Sequence, residues 1–396
     1  MTEKVKQQHM FSNKMIAGIL IPVVLEQLLN SIMGTADTMM VSNIGSAAIS
    51  AVSLVDSINI LVIQAFSALA AGGAIVCSQY IGQQNKKMAN ESARQVLFII
   101  TAISIAVSVL CLGFKKPLLR LIFGSVEADV MRASETYFFY TAISFPFIAA
   151  YDSAASIFRA QENTKGPMLI SMISNAMNIV GNAIMIWIFH MGVAGAAIST
   201  LVSRIFCAVV VLIQLRKDRQ PIVVRDYLKI RPDWAMIRRI LGIGIPSGVE
   251  NGMFQFGKLA IQSTVSTMGT TAIAAQAMTN IFENVNGVFG IGTGIGLMTV
   301  VGQCIGAKHY KEAKYYMVKL TVIAEVGLTI SCLLVYAAAH PVTLIAGMEA
   351  ESAALCMQMI AAITIVKPVA WVLSFVPAYG LRAAGDGVLY AAIKRR

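Results

Sequence analysis

A chain of 396 residues that is 57% apolar and only 13% charged, against the ~25% charge usual in soluble domains, with a mean hydropathy of +0.71, is neither a soluble globular protein nor a disordered one. Its net charge of +11 would suit nucleic acid, but the basic residues collect between apolar runs in the way membrane topology requires, so no nucleic-acid partner is expected. The six cysteines stand singly in apolar segments, with no CxxC and no His at ligand spacing, and read as small core hydrophobes.

Apolar runs long enough to cross ~30 Å of hydrocarbon as helix recur at about 15–37, 50–80, 96–114, 135–158, 167–190, 193–215, 240–265, 272–303, 319–340 and 356–380. These ten spans predict an all-α polytopic membrane protein. The helical period, with no alternating ~10-residue segments, argues against an outer-membrane barrel. The first span is too long for a cleavable leader and carries Glu26 and Asp37, so it is expected to stay as the first helix.

A charge at the centre of a spanning helix costs at least ~2.5–3.5 kcal/mol, so each one asks for a reason. Glu26 follows Pro22 by one turn, Asn30 lies one turn further, and Asp37 stands three turns from Glu26 on roughly the same face. Asp37 has three readings: a carboxylate that binds and releases a proton, a Na⁺ site completed by Asn178 and Asn182 of the fifth span, or a residue near the outer end that faces water. No resident metal is expected beyond that Na⁺. Glu26 and Glu250, each one turn past a proline, are either gate carboxylates facing a central cleft or a structural pair at two helix kinks. In the second half, Lys258, Glu283 and Lys367 form either an internal salt bridge or charges lining the cleft, where a lysine would suit a purely cationic substrate less well. Gly287, Gly290, Gly292, Gly294 and Gly296 follow no strand and precede no Lys-Ser/Thr, so they read as helix-packing positions.

The chain repeats itself. VSNIGSAAISA from Val41 is answered by VSTMGTTAIAA from Val265, an offset of 224 residues. The same offset carries Ile21-Pro22 onto Ile245-Pro246, Glu26 onto Glu250, and Ser78–Gly82 onto Gly302–Gly306; Phe158-Arg159-Ala160 meets Leu381-Arg382-Ala383 at 223. Two like-oriented bundles facing each other across a pseudo-two-fold axis along the membrane normal is an architecture of secondary transporters. The domains expected are an N-lobe of six spans at 1–216, a cytoplasmic linker at 217–239 that is polar, basic and interrupted by Pro221 and Pro232, and a C-lobe of four spans at 240–396. By the repeat offset the second copy would run on to position 440, so two closing helices are expected to be missing, through truncation or a shifted frame. With the N-terminus cytoplasmic, the outer segments keep only Lys115, Lys116, Arg120 and Arg132, all in one loop, and the other basic clusters lie inside.

The stretches Met33–Thr38, Gln79…Ile81-Gly82, Phe158–Pro167, Gln303…Ile305-Gly306 and Gly380–Asp386 together resemble the multidrug and toxic compound extrusion (MATE) family, over essentially the whole chain. The resemblance implies a bacterial inner-membrane antiporter of twelve helices in two six-helix lobes, expelling amphipathic, often cationic or aromatic compounds in exchange for H⁺ or Na⁺. It also implies that the carboxylate at position 37 is a coupling-ion residue of the N-lobe. The chain departs from the pattern at Asn182, where many relatives place an acid, and at Glu250, about one turn earlier than the seventh-helix acid of some relatives.

The function expected is a cation-coupled exporter, monomeric in the bilayer, with coupling residues Asp37, Asn178 and Asn182, cavity or gate residues Glu26, Asn30, Glu250 and Glu283, and no cofactor other than H⁺ or Na⁺. A flippase for polyprenyl-linked precursors and an inactive fragment stay open as alternatives. An enzyme is not expected, because no HExxH, paired catalytic aspartates or Ser–His arrangement is visible.

Overall fold

The computed structural model describes residues 9–42, 44–123, 127–217, 220–225, 227 and 230–385, with the side chains of 35–38, 42, 46 and 266 outside the description. Among the described residues there is no strand. The first copy contains α1 (Asn13–Ser42), α2 (Ser46–Gly82), α3 (Lys86–Gly113), α4 (Lys115–Phe123), α5 (Ala128–Ile143), α6 (Phe145–Ala160), α7 (Lys165–Ala183, prolonged by a π turn Ile184–Ile188) and α8 (Gly192–Leu215). The second contains α9 (Trp234–Ser266), α10 (Thr270–Gly306), α11 (Tyr310–Ile345) and α12 (Ala350–Ala384).

Eight of the ten expected spans fall on single helices long and apolar enough to cross a membrane. The other two differ for physical reasons. The fourth is divided into α5 and α6 at Ser144, two residues before Pro146, whose missing N–H prevents an unbroken ladder. The seventh, α9, carries Glu250 and Lys258 within its length, which lowers its apolarity. It also starts earlier than the expected boundary at 240, because Asp233, just after Pro232, caps it by accepting from Ala235 N (3.0 Å) and Met236 N (3.2 Å). The short helix α4 occupies a stretch expected to be loop.

The connection between the copies is stitched to the first of them. Ile222 and Val224 are buried in its core, Ile222 N donates to Gln161 Oε1 (2.9 Å), and Val223 N donates to Asn90 Oδ1 (2.8 Å).

The duplication extends to the backbone. Gly45 and Gly269, which open α2 and α10, have φ of 137° and 98°; Gln84 and Lys308, after the same helices, have 56° and 63°; Glu162 and Gly385, after α6 and α12, have 66° and 57°. Each pair is related by the repeat offset of 224 or 223.

One core lies among α2, α3, α5, α6 and α8; a second joins α10, α11 and α12 with Phe11, two residues ahead of α1, and with Ile16, Ile19 and Leu20 from its start. The copies meet through α2 against α9, α1 against α10, and α2 against α10. At this end a Cβ on Gly72 would strike the Gly244 backbone and one on Gly292 would strike Val24. Further along, a Cβ on Gly34, Gly252 or Gly257 would meet nothing within 4 Å.

The start of α1 is clamped to the second copy by Tyr316, whose fully buried hydroxyl donates to Phe11 O (2.8 Å) and accepts from Phe11 N (2.8 Å). Tyr316→Phe strands both backbone groups, at about 1–3 kcal/mol each. The expected outcome is a melting temperature in detergent lower by a few degrees and earlier proteolysis ahead of α1; an unchanged melt and digestion pattern would refute the clamp.

Candidate functional site

Each copy pairs its own glutamate with its own arginine. Glu26, on α1, meets Arg159 Nη2 at 2.8 Å in the last turn of α6, and Glu250, on α9, meets Arg382 Nη2 at 2.6 Å near the end of α12. Their surroundings differ sharply. The Glu26 side chain is 2% exposed and also accepts from Tyr151 OH (3.2 Å), a hydroxyl that lies 3.2 Å from Pro167 O as well. Its second oxygen is buried with no hydrogen-bond partner among the described residues. Glu250 is 49% exposed and lines a cavity of about 590 Å³ with Gln79, Arg239, Ser247 and Arg382. The difference follows from packing: α7 covers the flank of α1, whereas α9, among the described residues, packs chiefly on α2.

An amide ladder runs between α1, α7 and α8. Asn30 Oδ1 accepts from Ser171 Oγ (3.0 Å) and Asn175 Nδ2 (2.9 Å), Asn178 Nδ2 donates to Thr200 Oγ1 (3.2 Å), and Asn182 Nδ2 donates to Asn178 Oδ1 (3.2 Å). Asn178 and Asn182 are buried, and they occupy one face of α7 because residues four apart on a helix stand one above the other. The Asp37 side chain lies outside the described residues, but its level along α1 is set. Thr164 Oγ1 donates to Gly18 O at one end and Asn30 meets Ser171 and Asn175 further up, so α1 and α7 run parallel. Seven residues beyond Asn30, position 37 comes level with the stretch from Asn178 to Asn182.

Glu283, expected in a cavity, is partly buried and sits 3.5 Å from Lys367 Nζ, which donates to Asn286 Oδ1 (2.5 Å) and Glu283 O (3.2 Å). The internal salt bridge is thus present. Lys258 is not in it; its ammonium lies over the Phe254 ring, 5.3 Å from the centroid.

Three charged groups inside the first copy went unremarked or unplaced in the sequence. Asp152, on α6, accepts from Ser67 Oγ (2.7 Å); Asp56, on α2, accepts from Asn59 Nδ2 (3.1 Å); and Arg204, on α8, donates to Ser144 Oγ (2.7 Å) at the α5–α6 break. The signal that singled out Asp37, an acid within an apolar run, marks Asp56 and Asp152 equally.

The MatE family model matches this chain twice, over residues 22–184 and 246–393, and the two matches begin at the internal repeat offset. The chain is 28% identical over 298 residues to "Uncharacterized transporter YisQ" of Bacillus subtilis (strain 168), covering 74% of this chain and 64% of that protein. It is 25% identical over 300 residues to "Probable multidrug resistance protein NorM" of Thermotoga maritima, covering 74% and 63%. The chain thus spans just under two thirds of the length of these relatives. Among solved structures, "Crystal structure of MATE in complex with MaL6" superposes with a TM-score of 0.86 at 20% identity over 94% of this chain and 83% of that one. "Outward-facing conformation of a multidrug resistance MATE family transporter of the MOP superfamily" gives 0.82 at 19%, over 95% and 84%. With its all-helical fold, its doubled family match and its long apolar helices, the chain is a multi-pass membrane protein and belongs to the MatE family of transporters.

Proposed function

We propose that the chain is a proton-coupled antiporter, a transporter and not an enzyme, that exports amphipathic or cationic small molecules across a bacterial inner membrane by alternating access. The observation that carries this reading is the level of position 37 with Asn178 and Asn182, beside α8, in the first copy. An acid at that level changes its charge by one when it takes up a proton, and differential proton affinity between two conformations couples the proton to the transition. Proton is favoured over Na⁺ because the Asn178 amide is engaged at both ends, its oxygen with Asn182 and its nitrogen with Thr200, which takes one oxygen ligand away from Na⁺. Glu26 and Glu250 then act as the charged roots of the two lobes, at 1–216 and 240–396, joined by the linker 217–239, with six and four spans and the N-terminus cytoplasmic. In that orientation the end where α2 and α10 cross faces the cytoplasm, together with Lys86, Lys87, Lys308 and Lys311. The substrate class rests on the printed names of relatives such as the probable multidrug resistance protein of Thermotoga maritima. A flippase for pyrophosphate-linked lipids is less well supported, since Arg204 and Lys367 are each engaged within separate copies.

Cells expressing the chain are expected to export an ethidium-like dye, and Asp37→Asn to return export to the level of empty vector; equal export by both chains would remove Asp37 from coupling. In proteoliposomes a pH gradient should drive uptake of the dye and a Na⁺ gradient should not. Asn182→Ala is expected to slow pH-driven transport without abolishing it. Complete loss in this variant, with acceleration of the unaltered chain by Na⁺, would overturn the choice of proton.

A further inference from the structure

The contacts between the two copies at their closed end are themselves duplicated. Gln79 Nε2, in the last turn of α2, donates to Ala383 O at 3.0 Å; Gln303 Nε2, in the last turn of α10, donates to Ala160 O at 3.0 Å. Both donors and both acceptor residues are buried, and donor and acceptor come from opposite copies in each case. The two bonds are exchanged by the repeat offsets of 224 and 223. The same symmetry governs the backbone: a Cβ on Gly82 would overlap the Gln303 carbonyl, and one on Gly306 would overlap the Gln79 carbonyl.

We infer that Gln79 and Gln303 are the gating residues of this end, a two-fold latch whose release separates the copies and opens the path to the other face. The inference rests on the transport reading above and deepens it. Its chemistry suits repeated opening. Among the described residues the ion pairs are internal to one copy, Glu26 with Arg159, Glu250 with Arg382 and Glu283 with Lys367 among them. The two latch bonds themselves join a neutral amide to a main-chain carbonyl, so they part without breaking an ion pair and exchange for water. The acceptors are held in place by the charged pairs one residue away. Arg159 grips Glu26 with its side chain while its own carbonyl accepts from Thr299 Oγ1 (3.1 Å) and the next carbonyl, Ala160, accepts from Gln303. Arg382 stands beside Ala383 in the same way. Each half has a charged neighbour from the opposite copy: Arg239, at the start of α9, donates to Gln79 Oε1 (2.6 Å) and to Tyr80 OH (2.9 Å), and the Glu162 carboxylate stands within hydrogen-bonding reach of the Gln303 amide.

The test is a distance measurement between nitroxide labels on Lys86→Cys and Lys311→Cys, exposed positions at the starts of α3 and α11, in the full chain in lipid nanodiscs. Five of the six native cysteines are buried, and the chain without the added pair supplies the label background. The parent is expected to give mainly one short distance. Gln79→Leu with Gln303→Leu should raise the ratio of long to short distances about tenfold, and Gln303→Leu alone by a smaller factor. Gly306→Ala, which wedges the crossing apart by a different route, should also lengthen the distance. A latch variant that keeps the parent distribution while Gly306→Ala shifts it overturns the role of the amides; no shift in any of them overturns this end as the gate. Longer distances in a chain that exports no dye would leave the latch standing and remove the transport reading.

Discussion

Two helices can bring their backbones into contact only where neither carries a side chain at the crossing, and α2 and α10 meet that condition through Gly82 and Gly306. Neither glycine has an unusual backbone angle, so its value here is the missing Cβ. The crossing fixes how far the copies separate at one end, and the surrounding contacts follow from it. Gln79 and Gln303 lie one turn before the glycines and so reach across to the ends of α12 and α6. Gly72 against Gly244 and Gly292 against Val24 continue the close approach a few turns further. A larger residue at either crossing point would lift the helices apart and lose these contacts together.

The same symmetric frame places equivalent residues in unequal surroundings, which is how a duplicated fold acquires different sites. Glu26 and Glu250 have the same partner type and nearly the same geometry, yet one is sealed beneath α7 and Tyr151 and the other borders a cavity. A sealed ion pair is expensive to break because the remaining charge has no water to turn to, whereas a pair beside a cavity exchanges more easily. The polar interiors diverge further. The first copy holds Asp56, Asp152 and Arg204 with hydroxyl and amide partners, and the second holds Lys367 enclosed by Asn286 and Glu283.

The spans, the repeat and the proline-bearing helices were legible in the sequence because each rests on a local regularity: apolar length, an offset, a residue without an N–H. The salt bridge of Glu283 with Lys367 was legible as well, since two charges in neighbouring apolar runs need each other. What the sequence did not show is which distant group answers Glu26. Arg159 stands 133 residues away, and only the packing of α6 on its copy brings it there. The break at Ser144 was missed because the apolar run continues through it, and α4 because a nine-residue helix leaves little periodic trace. Asp56 and Asp152 were overlooked although the cost of burying a carboxylate pointed to both. Asn30 was read as a neighbour of Glu26 on one helix face, and its partners proved to be Ser171 and Asn175 across the gap to α7.

The register of the closed end is held by how the helices stop. After α2 the left-handed residue Gln84 lets Asn85 N reach back to Tyr80 O (3.0 Å), and after α10 Lys308 lets His309 N reach Cys304 O (2.8 Å). After α6, Glu162 does the same for Asn163 N and Phe158 O (3.0 Å). These are Schellman-type stops, which satisfy the last carbonyls and end a helix within one residue. Three of the four left-handed positions that close α2, α6, α10 and α12 are filled by side chains other than glycine, at a conformational cost of about 1–2 kcal/mol each. A cost carried at the same place in both copies, by different residues, marks the backbone course as the quantity being kept. That course sets the last turn of α2 opposite the end of α12, and the last turn of α10 opposite the end of α6. With the four helix ends fixed in this way, an amide in one copy meets a carbonyl in the other twice over.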